Sequence, residues 1–168
     1  KNSKEHMHPA SVTKIMTMLL IVEDIEAGKL KLEDIVTASE RAASFGGSCV
    51  YLAQGEKMSV SDMLKCIAVV SANDCAVAMA EHISGSEQEF VLRMHRRAAE
   101  PGLTHPNFTN CTGLFDSKEH YTTAYDMALI MKAAIQNPMF LTITETKYYQ
   151  IPPTNLCEEQ RDLWHQLK

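Results

Sequence analysis

The stretch from Ser11 to Ala27 constrains this chain more than any other. Ile15, Met16, Leu19, Leu20, Val22 and Ile25 keep helical spacing, and Gly28 follows as a C-terminal stop. The helix is apolar around much of its girth, so it has to lie in the middle of a fold with other elements around it. A chain of 168 residues, 45% of them hydrophobic, can supply that surround and predicts one globular domain. It does not predict a membrane span, because the longest apolar run, Ile15 to Val22, contains Thr17 and ends at Glu23 and Asp24.

The surround is also helical by pattern. Ser59 with Asp62 reads as a capping box opening Met63 to Val70, and Ser86 with Glu89 does the same for Phe90 to Ala99, ended by Pro101-Gly102. Between them, Asn73 or Asp74 caps a helix from Cys75 to Ile83 closed by Gly85, which leaves Ser71 to Asn73 at a break between helices. Thr123 and Asp126 open a helix from Ala124 to Gln136, with Tyr125, Ala128, Met131 and Ile135 on one face and Asn137-Pro138 as its stop. Lys147 to Ile151 predicts a short strand ended by Pro152-Pro153. The fold class expected from this pattern is mainly α.

Several function classes drop out. A net charge of −5 with 16 scattered basic residues leaves no basic stripe, so nucleic acid is not an expected partner. Cys49, Cys66, Cys75, Cys111 and Cys157 are an odd set without zinc-knuckle or redox spacing and read as free thiols. His6, His8, His82, His95, His105, His120 and His165 show no paired ligand spacing, so no metal site is expected. The methionines at 16, 18, 63, 79, 94, 127 and 131 read as core filler. No secretion signal stands at Lys1, so any such signal would lie outside this sequence.

Ser11 and Lys14 stand three apart at the start of the buried helix, with their β-carbons about 5–6 Å apart on one face. Serine needs a base to become a nucleophile, and a lysine kept neutral by burial can be that base. A helix N-terminus adds backbone donors for an oxyanion. Alone, the pair also fits a capping serine beside a surface lysine. Ser71-Ala72-Asn73 follows at the helix break, where a hydroxyl can relay a proton to a leaving amine and an amide can bond the lysine and a substrate carbonyl.

Pro9-Ala10-Ser11-Val12-Thr13-Lys14-Ile15-Met16-Thr17 resembles the Ser-x-x-Lys segment of the low-molecular-mass penicillin-binding proteins, the serine DD-carboxypeptidases. Gly47-Ser48 through Leu52, Gly55-Glu56 and Ser59 to Leu64 resemble the approach to that family's second motif, and Ser71-Ala72-Asn73-Asp74 matches its Ser-x-Asn. Leu103 to Leu114, ending in Asn110-Cys111-Thr112-Gly113-Leu114, resembles its Asn-Pro-Thr-Gly-Leu segment, and Thr122 to Met127 its next helix start. Tyr148 to Trp164 resembles the stretch leading toward its third motif.

The resemblance implies one partial catalytic domain over residues 1–168, the helical portion of a β-lactamase/transpeptidase-like α/β fold. It implies removal of the terminal D-alanine from peptidoglycan stem peptides through an acyl-serine intermediate, with β-lactams as trapping ligands and no metal or organic cofactor. Ser11 would be the nucleophile and Lys14 its base, with Ser71 and Asn73 passing protons and positioning substrate. The expected location is extracytoplasmic, on the outer face of the bacterial cytoplasmic membrane or secreted, with membrane contact only through segments outside this chain.

The match departs at one point: the family's Lys-Thr-Gly occurs nowhere in this sequence, and Cys111-Thr112-Gly113 comes far too early to replace it. The resemblance also implies that the terminal strands covering the central helix in that family lie outside this sequence. The chain is therefore expected to be a fragment, inactive by itself, that exposes apolar faces of that helix and self-associates through them. The rival readings are a β-lactamase-like serine hydrolase and a non-catalytic helical scaffold.

Overall fold

A computed structural model of the chain describes residues 2–99, 102–104, 106–114 and 117–165. Its seven helices and four strands begin with α1 (Lys14–Glu26), β1 (Ile35–Thr37), α2 (Glu40–Ala43), β2 (Lys57–Ser59), α3 (Val60–Val70) and α4 (Asn73–Ser84). They continue with α5 (Glu87–Ala98), α6 (Ala124–Ala134), α7 (Pro138–Thr144), β3 (Tyr148–Ile151) and β4 (Arg161–Trp164). The strands form two separate antiparallel pairs, Ile35 facing Ser59 in one and Tyr148 facing Trp164 in the other. The mainly α reading holds.

Helix α1 is the axis of the fold and touches α3, α4, α5, α6 and α7. Met16, Leu19, Leu20, Ile21 and Val22 are all buried, so the chain's own helices cover the faces that were expected to stay bare. The expected start is corrected as well. Ser11 belongs to a 3-10 turn, Ala10–Thr13, that precedes α1, and no side chain caps the helix at Thr13. Lys14 is only 2% exposed, which removes the alternative of a surface lysine, while Ser11 is open to solvent.

Three caps are placed as the sequence predicts: the hydroxyls of Ser59, Ser86 and Thr123 accept from the backbone N–H groups of Asp62, Glu89 and Asp126. Gly85 closes α4 in the left-handed conformation. Helix α4 begins earlier than expected, with Ala72 at its cap position and Asn73 and Asp74 inside its first turn. Asp74 is instead an acceptor for the Val50 and Leu52 N–H groups of the preceding loop.

On α6 the buried stripe is Asp126, Met127, Ile130 and Ala134, whereas Tyr125 and Ile135 are 38% and 42% exposed. Asp126 causes the rotation. Its carboxylate accepts from Thr104 N and Thr104 Oγ1 at 2.7 and 2.6 Å, so a charged residue faces inward. Asn137, expected as a stop, also caps α7 by accepting from Met139 N and Phe140 N. The expected stop at Pro101, and His105, lie outside the described residues. Among the described residues no helix is long and apolar enough to cross a membrane.

Candidate active site

The 3-10 turn carries Ser11 at the surface and hands the chain to α1, whose first residue is Lys14. Lys14 Nζ lies 3.2 Å from Ser11 Oγ and donates to the carbonyl of Thr112 at 2.9 Å. Burial is the largest influence on this amine and brings its pKa down from 10.5 to about 8, against smaller opposing effects of the Cys111 and Cys49 thiols. A lysine so placed has an accessible neutral form, and its lone pair can take a proton from the hydroxyl beside it.

The Thr112 carbonyl is fixed by the segment around it. Asn110 Oδ1 accepts from the N–H groups of Thr112 and Gly113 at 3.1 and 2.6 Å and closes a tight turn. Gly113 has φ +76°, and a β-carbon there would sit 1.7 Å from the Ala10 carbonyl oxygen, so only glycine lets this turn press against the turn that carries Ser11. Thr17 Oγ1 donates to Cys111 O at 2.7 Å one helical turn beyond Lys14. On the other side Glu87, at the start of α5, accepts from Cys111 N at 3.2 Å and pairs with Arg41 of α2. Burial, and then Glu87, push the Cys111 thiol well up, so it stays protonated.

The second motif sits where expected, at the break between α3 and α4. Ser71 ends α3 in a left-handed conformation, φ 59°. Asn73 is buried and held by the loop before β2: its N–H donates to Ser48 O at 2.7 Å and its Nδ2 to Gly46 O at 2.9 Å. The expected bond between Asn73 and Lys14 is not formed: Lys14 Nζ donates to Thr112 O, and Asn73 Nδ2 donates to Gly46 O. Asn73 Oδ1 is buried without a partner. A β-carbon on Gly47 would meet Asn73 Nδ2 at 3.0 Å and Leu114 at 3.1 Å, so the amide lies across one glycine from the end of the turn that holds Lys14.

The structure thus joins Ser11 and Lys14 directly and brings Asn73 to the same Asn110–Leu114 segment; no bond joins Ser71 to Lys14 among the described residues. A groove of about 730 Å³ lies at this place, lined by Ala10, Gly46, Gly47, Gly113 and Leu114 together with His8, Lys118 and His120. The Thr112 carbonyl, Asp74, Glu87 and His120 were not singled out as site residues from the sequence. Only the Asn110-x-x-Gly113 turn had a legible signal, the asparagine that bonds backbone N–H groups ahead of it.

A family profile described as D-alanyl-D-alanine carboxypeptidase matches residues 1–166. The D-alanyl-D-alanine carboxypeptidase DacF of Bacillus subtilis (strain 168) is 52% identical over 146 residues, which cover 87% of this chain and 37% of the relative. DacC of Escherichia coli (strain K12) is 35% identical, over 97% of this chain and 42% of its own. Among solved structures, penicillin binding protein 5 from Haemophilus influenzae superposes with a TM-score of 0.86 at 32% identity, covering 96% of this chain and 46% of that one. The chain therefore spans about two fifths of the length of the two curated relatives, and its helices are part of a penicillin-binding α/β fold. With the profile matching almost end to end, this chain belongs to the D-alanyl-D-alanine carboxypeptidase family.

Proposed function

We propose that residues 1–168 are one part of the catalytic domain of a serine DD-carboxypeptidase, carrying its nucleophile and general base. The observation that carries this reading is the buried Lys14 amine 3.2 Å from the solvent-facing Ser11 hydroxyl. Neutral Lys14 takes the Ser11 proton as Oγ attacks the penultimate D-alanine carbonyl of a peptidoglycan stem peptide. The tetrahedral adduct collapses by expelling terminal D-alanine, whose amine receives a proton relayed through Ser71. Water then hydrolyses the acyl-serine. Asn73 serves this sequence by positioning the substrate with its side-chain amide, whose Oδ1 has no partner in the fold. A β-lactam acylates Ser11 by the same first step, and its work would lie outside the cytoplasmic membrane.

By itself this polypeptide is expected to acylate slowly. The sequence has no Lys-Thr-Gly, and loss of one oxyanion-hole donor costs about 10²–10³ in rate. Intact-mass spectrometry after incubation with a β-lactam measures this directly. The expected result is a slowly growing adduct of one β-lactam per chain that is absent from the Ser11→Ala variant. An adduct that persists in Ser11→Ala would refute the assignment of the nucleophile.

A further inference from the structure

Thr13 lies between the proposed nucleophile and base, yet it is fully buried and its hydroxyl lies 2.8 Å from His120 Nε2. His120 is itself 1% exposed. Its other ring nitrogen, Nδ1, accepts from the backbone N–H of Thr109 at 3.0 Å. A backbone N–H can only donate, so Nδ1 carries no proton; the ring is neutral, and Nε2–H points at Thr13 Oγ1. One side of the ring thus holds the end of the turn that bears Ser11 and leads into Lys14. The other holds Thr109, which immediately precedes the turn that presents the Thr112 carbonyl to Lys14.

The ring is locked in place. The His120 carbonyl accepts from His8 Nδ1 at 2.9 Å, Phe108 meets the ring edge-on at 5.9 Å, and flanking bridges join Met7 to Thr122 and Asn107 to Tyr121. The titratable groups on the elements around it are His6 and His8 on the N-terminal segment, Lys14 beyond Thr13, His95 of α5 at the Phe108 carbonyl, and Lys118, exposed Glu119 and Tyr121 on its own stretch of chain. No carboxylate bonds the ring among the described residues. Burial first, and then His8, hold its pKa below the ordinary histidine value, so the neutral bridge persists into mild acid.

We propose that His120 is a positioning residue for acyl transfer: its neutral ring fixes the Ser11–Lys14 turn against the segment carrying Thr112, and a proton gained at Nδ1 releases it. A protonated Nδ1 would face the Thr109 N–H, donor against donor, and could keep only the Thr109 hydroxyl, 3.2 Å away, as an acceptor, so the backbone bond to the ring is given up. This inference rests on the reading of Ser11 and Lys14 as nucleophile and base. It adds a second, acid-side ionisation that does not belong to any group touching substrate.

The test is β-lactam acylation measured from about pH 5 to about pH 9, in the longest natural polypeptide that contains these residues, with His120→Gln and Thr13→Val made in parallel. In the parent the logarithm of the rate falls with slope one below the Lys14 pKa of about 8, and steepens over one further drop of about tenfold as His120 takes its proton. In both variants the slope stays at one, and the maximal rate drops about tenfold while half-saturation by the β-lactam is unchanged. A parent profile without the steepening, or a Thr13→Val variant that keeps it at the parent's rate, overturns the proposal. The ring's ¹⁵N spectrum separates the two readings: an Nε2–H tautomer whose titration moves the Thr109 amide, in a protein that never acylates, condemns the nucleophile and base assignment along with any role in catalysis. An Nδ1–H tautomer in a protein that acylates normally condemns the His120 bridge alone.

Discussion

Lys14 shows how one side chain can be costly to folding and useful to chemistry. Its pKa lies near 8 in the folded chain against 10.5 when unfolded, so the native state binds fewer protons between those values. Stability from this group therefore rises with pH through that window, and below about pH 8 the full cost of burying the amine is present. Replacing it with an apolar residue of similar length should remove the dependence. We expect wild type to gain on Lys14→Met by roughly 3 kcal/mol between neutral pH and pH 10.5, read from urea denaturation at a series of pH values. A constant difference between the two proteins would mean that the amine is hydrated in the folded state.

At the scale of elements, the site is a meeting of the Asn110–Leu114 turn with α1 on one side and α5 on the other. Glu87 is the link to α5: it is 4% exposed, and it is the acceptor for Cys111 N as well as the partner of Arg41. Removing it strands a buried N–H, which costs about 1–3 kcal/mol, and loosens the carbonyl that holds Lys14. Glu87→Ala should lower stability by about 2–3 kcal/mol, whereas Glu89→Ala, exposed one position beyond Gln88 on the same helix, should stay within about 0.5 kcal/mol. Chemical denaturation of the two variants side by side distinguishes a structural link from a general effect of removing acidic residues near the α5 N-terminus.

For the whole molecule, burial of α1 changes where association would occur. Among the described residues an exposed aromatic pair beside a sheet edge stands on the β3–β4 pair, where Tyr148 and Trp164, 43% and 65% exposed, lie with ring centroids 4.4 Å apart. A two-stranded sheet leaves both outer edges able to pair with another chain. Self-association of this polypeptide is therefore expected through the hairpin, and Trp164→Lys should shift the sedimentation profile toward monomer at micromolar concentration. If wild type already sediments as a compact monomer, or if Trp164→Lys leaves the profile unchanged, that surface is not the route.

What the sequence determined by itself is what depends on neighbours along the chain. The girth of apolar residues after Lys14 placed α1 at the centre, and hydroxyls three residues ahead of a free N–H placed the caps at Ser59, Ser86 and Thr123. The spacing of Ser11 and Lys14 put the proposed nucleophile and base within reach, and the break at Ser71 was legible between two apolar helices. The tertiary structure alone decided the electrostatics. Lys14 reads equally well as a solvated first-turn lysine until Thr112, 98 residues away, is folded over it. Likewise Asp126 turned α6 away from its apparent apolar face because a bond to Thr104 outweighed the pattern, and His120 reached Thr13 across 107 residues. Periodicity and capping are properties of a few turns of chain, whereas the pKa of a base is set by which distant groups exclude water from it and which carbonyls they bring along.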